Sequence, residues 1–156
     1  NIFNIIAHGK INKINLENSH ILDLYSGYGS FGFECLSRKA NKVVFVEKDK
    51  TALELLKKNV INLNVSDKSI LISLDTKSYL QRIKLKNKFD LIFLDPPYKD
   101  NSYLETLKLI KDNQIFKRRH LVIIHRERKC EDELKKTIQV NLIKYYGRSQ
   151  IIFGFF

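Results

Sequence analysis

Short apolar runs rich in β-branched residues recur along this chain and alternate with segments of helical pattern. Five of these runs are each followed by a predicted helix: HILDLY, KVVFVE, SILISL, FDLIFLD and HLVIIH. The helices are expected at residues 31–39, 50–62, 76–83, 102–111 and 131–136. Apolar strands that alternate with helices are typical of a parallel sheet covered on both faces.

The last two apolar runs are arranged differently. IQVNLIKYY and SQIIFGFF are separated only by GRS, which is too short for a parallel crossover and therefore predicts an antiparallel hairpin. The sequence thus predicts a doubly wound α/β sheet of seven strands, mostly parallel, with one strand reversed. Its 156 residues suffice for one domain with a continuous core, so we expect residues 1–156 to form a single domain.

Composition limits the partners and the location. The chain has 28 Lys and Arg against 17 Asp and Glu, a net charge of +11, which favours a polyanionic partner and nucleic acid first. The alternative is that much of this lysine is simply solvated surface. No apolar run approaches the ~18 residues of a membrane span, and the first residues lack a signal-peptide pattern, so we expect a cytoplasmic protein without membrane contact.

The residues that could bind a metal or form a disulfide are scattered. Cys35 and Cys130 lie far apart without CxxC spacing, which argues against a disulfide framework and a zinc site. The histidines have no metal-ligand spacing with one another or with the cysteines, so we expect core or surface roles for them and no metal: His8, His20, His120 and His125.

An acidic residue stands at the end of each of the first four predicted strands, and these are Asp23, Glu47, Asp75 and Asp95. Ligands of open α/β sheets bind outside the carboxyl ends of the strands. A dinucleotide would bring two anionic phosphates to these carboxylates and be repelled. S-adenosylmethionine carries sulfonium and ammonium charges and several hydrogen-bond donors, so the pattern favours it as the cofactor.

Three glycines, Gly27, Gly29 and Gly32, follow the first strand with GxGxxG spacing, which allows a backbone to approach a ligand closely. Asp23 is expected to accept hydrogen bonds from the methionine ammonium end, directly or through water. Glu47 follows Gly27 by twenty residues, the spacing that places a carboxylate on ribose hydroxyls.

Asp75 at the third strand end has two possible roles. It can accept a hydrogen bond from the adenine amino group, or it can cap the helix that follows. Both alternatives remain open at the level of the sequence.

The segment Asp95-Pro96-Pro97-Tyr98 resembles the (D/N/S)PP(Y/F/W) motif of methyltransferases that act on exocyclic amino groups of nucleobases or on amide nitrogen. Such an amino nitrogen is conjugated, so its lone pair is a poor nucleophile. The Asp95 carboxylate and the Pro96 carbonyl can hold its two N–H bonds and aim the lone pair at the methyl donor. Tyr98 offers a face for base stacking, worth ~1–3 kcal/mol per base. The alternative is a proline-terminated strand with a packed tyrosine.

With these motifs, the whole chain resembles the bacterial RsmD-type 16S ribosomal RNA (guanine-N2)-methyltransferases. IFNII is similar to the LFN helix of that family, and LDLYSGYGSFGFECLSR resembles its LDLFAGSGALGLEALSR. The resemblance continues through DPPY to the hairpin around Gly147. It implies a Rossmann-like class I fold, S-adenosyl-L-methionine as cofactor, and one methyl placed on guanine N2 in 16S ribosomal RNA. The family usually has Asn and Ala where this chain has Asp75 and Thr76.

The expected site residues fall into three sets. The catalytic set is Asp95, Pro96, Pro97 and Tyr98. The cofactor-binding set is Asp23, Tyr25, Gly27, Gly29, Gly32, Glu47, Asp75 and Thr76. The RNA-binding set follows the carboxyl ends of strands or lies beside the DPPY loop and in the hairpin: Lys99, Arg126, Arg128 and Arg148.

The expected partner is 16S ribosomal RNA or the small ribosomal subunit, and we expect a monomer. Members of the family carry an Arg-rich segment before the LFN helix, thought to help bind RNA, and this chain starts inside that helix. We therefore expect part of the substrate site to be absent from these residues.

Two other functions use the same features. A DNA adenine-N6 or cytosine-N4 methyltransferase has the same loop but usually carries a separate target-recognition domain. A non-catalytic RNA-binding or assembly protein could retain the fold without the chemistry, although the intact DPPY argues against it.

Overall fold

The computed structural model describes residues 1–11, 14–84, 86, 88–128 and 133–156. These residues form a seven-stranded sheet in the order β3-β2-β1-β4-β5-β7-β6. The strands are β1 (His20–Leu24), β2 (Lys42–Val46), β3 (Ser69–Ile72), β4 (Phe89–Leu94), β5 (Phe116–Glu127), β6 (Gln139–Tyr146) and β7 (Ser149–Phe155). Strands β1 to β5 pair in parallel, whereas β7 is antiparallel to both β5 and β6. The predicted parallel sheet with a terminal hairpin is confirmed.

Five α-helices cover the sheet. They are α1 (Ile2–His8), α2 (Ser30–Ser37), α3 (Lys50–Asn62), α4 (Thr76–Arg82) and α5 (Tyr103–Asn113). Helix α3 has the predicted bounds, and α5 extends two residues further than predicted, to a left-handed residue at Gln114. None of these helices is long and apolar enough to cross a membrane, nor is any other helix in the described part of the chain.

The helix predicted at residues 131–136 is wrong where the structure describes it. Only Leu134–Lys136 is helical, as a single 3-10 turn, and residues 131 and 132 lie outside the described residues, as does Cys130. Strand β5 continues to Glu127 because it pairs with β7 as far as Ser149. Between this strand and β6, which begins at Gln139, the chain buries Leu134 and Ile138 in the core around one short turn instead of forming an α-helix.

The core has two apolar layers, one on each face of the sheet. Helices α1, α2 and α3 pack on one face through residues such as Phe3, Cys35 and Leu56. Helices α4 and α5 pack on the other face through residues such as Leu80 and Leu107. Because every central strand is buried on both faces, its residues are apolar at successive positions rather than alternate ones.

The strand order reverses between β1 and β4, which both emerge in the middle of the sheet. At such a switch point the loops after the two strands diverge and leave a crevice for a ligand. The loop after β1 is the glycine turn and the loop after β4 is residues 95–98, so the two motifs singled out in the sequence lie side by side.

Replacement of Gly32 by Ala tests the packing of α2 on the sheet. An added Cβ would lie 2.7 Å from Cζ of Phe45 and 2.9 Å from Cγ1 of Val43, so the helix has to move away from β2. Overpacking of this kind costs about 1–3 kcal/mol. We expect Gly32→Ala to lower the free energy of unfolding in urea by that amount, and Ser37→Ala, at an exposed position of the same helix, to change it little. Equal stabilities would contradict this account of the glycine.

Candidate active site

The turn after β1 has three residues in the left-handed region. Tyr25 has φ 57°, Gly27 has φ 55° and Gly29, which is the N-cap of α2, has φ 86°. For a non-glycine residue this conformation costs roughly 1–2 kcal/mol, and such strain is concentrated at functional sites. The Tyr25 hydroxyl is held by the Thr106 hydroxyl on α5, at 3.1 Å between the oxygens, and burial raises the pKa of Tyr25.

The glycines of the turn have different roles. A Cβ added at Gly29 would collide with Leu56 and lie 2.6 Å from Phe33, and Gly32 is packed against Phe45. Space at Gly27 is open, with nothing within 4 Å of the added atom. Gly29 and Gly32 therefore serve the packing of α2, and Gly27 is the glycine at which the backbone stays accessible.

Asp23 lies beneath this turn and is 1% exposed. The backbone N–H of Gly32 donates to its Oδ2 at 3.1 Å. Burial raises the pKa of Asp23 well above its ordinary value, and the nearby Asp95 and Glu47 raise it further, while the bond from Gly32 opposes the shift. The structure gives Asp23 a supporting position under the turn rather than on the cavity wall, so its predicted contact with a ligand stays a prediction.

Glu47 joins the turn to the end of β2. Its Oε2 accepts from the N–H of Gly27 at 2.7 Å, and its Oε1 accepts from the N–H of Asp49 at 2.8 Å. The carboxylate therefore fixes the accessible glycine while it lines the cavity described below. Each oxygen keeps a second lone pair that can accept from a ligand.

Asp75 caps α4, which is one of the two roles that the sequence left open. It lies three residues beyond the last residue of β3 and accepts from the N–H of Ser78 at 2.9 Å and from its hydroxyl at 2.6 Å. These hydrogen bonds lower the pKa of Asp75. The side chain is exposed and lines the cavity together with the buried Thr76, so contact with adenine stays a prediction.

Residues 95–98 leave the end of β4 and turn across the carboxyl edge of the sheet. Pro96 is buried, whereas Asp95 and Pro97 are exposed and Tyr98 is 52% exposed. The N–H of Asp100 donates to the Pro97 carbonyl at 2.9 Å and closes the turn. The side chains of Asp95 and Tyr98 are thus accessible to a ligand, while the backbone that carries them is fixed by the turn.

Arg126 is buried beneath this loop. The prediction of Arg126 as an RNA contact at the rim is therefore wrong, because the residue lies within β5 and is 0% exposed. Its guanidinium donates to the carbonyls of Pro97 at 3.2 Å and Tyr98 at 3.4 Å, and it lies over the ring of Tyr103 at 4.4 Å from the centroid. The side chain is covered because β5 extends beyond the predicted strand end, and it supports the loop from below.

His125 was expected in the core or on the surface, and the structure places it in the site. Its Nδ1 lies 2.8 Å from Oδ1 of Asp95, and its ring meets that of Tyr98 edge to face, with centroids 6.3 Å apart. The hydrogen bond to Asp95 raises the pKa of His125, and burial opposes that shift. The available signal was its position at the end of the fifth apolar run, at the same edge as the acidic residues.

These elements enclose a cavity of about 590 Å³, a size typical of small-molecule sites. The predicted site residues that line it are Tyr25, Glu47, Asp75, Thr76, Asp95, Pro96, Pro97 and Tyr98. Asp23 and the three glycines do not line it. Carboxylates outnumber lysines on its wall, with Glu47, Asp75, Asp95 and Asp100 against Lys48 and Lys77.

The remaining predicted RNA contacts are exposed, namely Lys99, Arg128 and Arg148. Arg128 follows β5, and its N–H donates to the carbonyl of Arg148 in the hairpin turn at 2.7 Å, so both arginines lie in one place. The guanidinium of Arg128 lies 4.9 Å from the ring centroid of Tyr145, which is 54% exposed. Tyr145 is not identifiable as a site residue from the sequence, since its exposure depends on the position of β6 at the sheet edge.

The sheet order, the glycine turn after β1 and the loop after β4 together define a Rossmann-like class I methyltransferase fold. The chain belongs to the family described as conserved hypothetical protein 95, whose model matches residues 1–154. The resemblance to the RsmD-type family is thereby confirmed.

Curated relatives agree with this assignment. The chain is similar to ribosomal RNA small subunit methyltransferase D of Haemophilus influenzae, 36% identical over 114 residues that cover 72% of this chain and 59% of that protein. It is also similar to the protein of the same name from Buchnera aphidicola, 35% identical over 81% of this chain and 60% of that protein. The chain therefore spans about three fifths of the length of these relatives.

Solved structures share the whole fold. A Haemophilus influenzae protein described as a candidate methylase superposes with a TM-score of 0.83 at 29% identity, over 99% of this chain and 92% of the other. An Escherichia coli protein described as a candidate methyltransferase gives a TM-score of 0.82 at 22% identity, over 99% and 81%, and supports the fold alone.

Replacement of Asp23 by Asn tests the buried carboxyl. An acid with a raised folded pKa binds its proton more tightly in the folded state, so its contribution to stability falls as pH rises above the ordinary value of 3.8 towards the raised one. Asn retains an acceptor for Gly32 and cannot ionise. We expect Asp23→Asn to lose less stability than the wild type as pH rises, measured by urea unfolding at several pH values.

The matched control is Asp112→Asn, which removes one exposed carboxylate from α5. Parallel stability curves for the wild type and Asp23→Asn across this pH range would show that the carboxyl is not held in a raised-pKa environment.

Proposed function

We propose that the protein transfers one methyl group from S-adenosyl-L-methionine to the N2 amino group of a guanine in small-subunit (16S) ribosomal RNA. The observation that carries this proposal is the 95–98 loop, which lines the same cavity as Glu47 and Asp75. When bound, the cofactor supplies a methyl on sulfonium: the substrate nitrogen forms the new N–C bond, the C–S bond breaks with its electron pair on sulfur, and one proton leaves the nitrogen.

The cavity suits this cofactor in its chemistry. Its wall carries four carboxylates and two lysines, an arrangement that favours cationic and donor-rich ligands and opposes a pyrophosphate. Glu47 would accept from the ribose hydroxyls, and Asp75 with Thr76 would meet the adenine. Tyr25 and Gly27 would border the methionine end, with Asp23 beneath them stabilising the ammonium charge.

The chain's own part in the reaction is to orient the substrate. Asp95 and the Pro96 carbonyl would accept the two N–H bonds of the guanine amino group, so that its lone pair faces the methyl group. Asp95 would then take the proton that leaves the nitrogen. Tyr98 would stack on the extruded base, because more than half of its surface is open. No metal and no covalent enzyme intermediate is needed in this scheme.

RNA would reach the site across a basic rim. Lys99 adjoins the loop, and Arg128 and Arg148 lie together at the end of β5 and in the hairpin turn. The stacked pair of Arg128 and Tyr145 offers a cation and an aromatic face to a single strand. The relatives named as ribosomal RNA methyltransferases support RNA as the substrate.

Replacement of Asp95 by Ala separates catalysis from cofactor binding. We expect Asp95→Ala to slow methyl transfer ~10²–10³-fold, the usual effect of removing one positioned polar group. Calorimetry should show that the wild type and Asp95→Ala bind S-adenosylmethionine similarly and that NAD does not bind. Asp112→Ala serves as the control for a removed carboxylate. Tight binding of NAD to the protein, or an Asp95→Ala variant that keeps most of its activity, would contradict the proposed function.

The basic rim predicts the dependence of RNA binding on salt. Each lost phosphate contact with single-stranded RNA reduces the slope of log K against log salt by about 0.7. We expect Arg148→Ala and Lys99→Ala each to weaken binding and flatten the slope by about that amount. Arg119→Ala, an exposed arginine near the amino end of β5, should leave both quantities unchanged. Equal slopes in all four proteins would place the RNA on another surface.

A further inference from the structure

We propose that His125 is a positioning residue of this site: its Nδ1–H holds Oδ1 of Asp95, so that the other carboxylate oxygen is aimed at the substrate amino group. This inference rests on the proposed function and adds a residue to it. Neither the glycine turn nor the DPPY motif includes His125, which comes from the neighbouring strand.

The register of the sheet makes this contact. Leu94, the last residue of β4, pairs with Ile124 of β5 in a parallel ladder. Asp95 and His125 are the next residue on each strand, so their side chains leave the sheet side by side. His125 is held on its other side by pairing with Ile151 of β7, which makes β5 an internal strand at this point.

The direction of the hydrogen bond follows from the partners. A carboxylate only accepts, so the proton between Nδ1 and Oδ1, 2.8 Å apart, belongs to the histidine. The Asp95 side chain is 46% exposed and would otherwise rotate freely about its Cβ–Cγ bond. The histidine, 24% exposed and in edge contact with Tyr98, restricts that rotation before the substrate arrives. Preorganisation of an acceptor lowers the barrier because no reorganisation is needed during the reaction.

The proton balance leaves the histidine unchanged. The substrate nitrogen releases one proton when its bond to the methyl carbon forms. Asp95 takes this proton at Oδ2 and passes it to water, and His125 keeps its Nδ1–H throughout. His125 therefore acts through Asp95 and neither gains nor loses a proton in a turnover.

Protonation at Nε2 should still affect the rate. The imidazolium draws charge from Asp95 and makes it a weaker acceptor, whereas the neutral ring with Nδ1–H keeps the hydrogen bond and leaves the full charge. The bond to Asp95 raises the pKa of His125 from 6.5, so methyl transfer should become faster as pH rises through that raised value. The stability of the fold should change in the opposite direction. The pair of His125 and Asp95 stabilises the fold below the ordinary pKa of histidine, and this contribution is lost as pH rises through the raised pKa of His125.

Other charged and titratable groups surround His125. Asp95, Tyr98 and Asp100 come from the β4 loop, and Glu127 lies two residues along the same strand. Ile151 of β7 pairs with His125 on one side and with Lys144 of β6 on the other. The same cavity is lined by Tyr25, Glu47, Lys48, Asp75 and Lys77, and the buried Asp23 lies near Asp95 and Glu47. A pH inflection in the wild type alone would not identify His125, so the test uses variants that keep these groups.

The first measurement needs no activity. The ring of His125 is titrated by NMR in the wild type and in Asp95→Asn. We expect its pKa to lie above the ordinary histidine value in the wild type and to fall in the variant, because the charge of Asp95 is gone. An unchanged titration would show that the pair does not form in solution and would overturn the inference.

The second measurement is the single-turnover rate of methyl transfer at saturating RNA and cofactor over a pH series. We expect His125→Ala to be about 10- to 100-fold slower, by analogy with residues that orient the ligands of metal sites, with RNA and cofactor affinities retained. His125→Asn places an amide N–H near the former Nδ1. This variant should recover part of the rate and lose the pH inflection. The control is His20→Asn, at the amino end of β1, which should keep the wild-type rate and the wild-type pH inflection.

Survival of the inflection in His125→Asn, or a wild-type rate in His125→Ala, would overturn the role of His125 while leaving the proposed function intact. Absence of methyl transfer from the wild type itself would overturn the proposed function and the catalytic role together, and the NMR titration would still report whether the pair exists.

Discussion

The buried guanidinium of Arg126 supports the loop on which the candidate site depends. It donates to the carbonyls of Pro97 and Tyr98 and stacks on Tyr103, so it connects the loop after β4 to β5 and α5. A buried charge is costly unless it is hydrogen-bonded, and these carbonyls are part of what satisfies it. The loop is therefore fixed from beneath, and Asp95 and Tyr98 are held in one arrangement above it.

The charge of the whole molecule and the charge of the cavity wall have opposite signs. The chain as a whole carries +11, yet the cavity wall has more carboxylates than lysines, with Asp23 buried behind it. A polyanion is attracted to the outer surface, whereas its phosphates are disfavoured inside the cavity. This combination suits a cationic cofactor in the cavity at the carboxyl edge of the sheet, and a nucleic acid that inserts only a neutral base into it.

Much of this fold could be predicted from sequence because the strands are buried on both faces and read as continuous apolar runs. The acidic residues and DPPY could be found because they directly follow those runs. Arg126 and His125 could not be assigned, since adjacent strand residues point to opposite faces and the sequence does not state the register. Pairing of β5 with β4 and β7 decides that His125 reaches Asp95 and that Arg126 is covered.

The proposed reaction can be tested by identifying the nucleoside that receives the methyl group. Small-subunit ribosomal RNA from cells that lack this protein is incubated with the protein and methyl-labelled S-adenosylmethionine, digested to nucleosides and analysed by mass spectrometry. We predict label in N2-methylguanosine, with about one labelled methyl group per RNA molecule. Label in N6-methyladenosine or N4-methylcytidine, or no label at all, would contradict it.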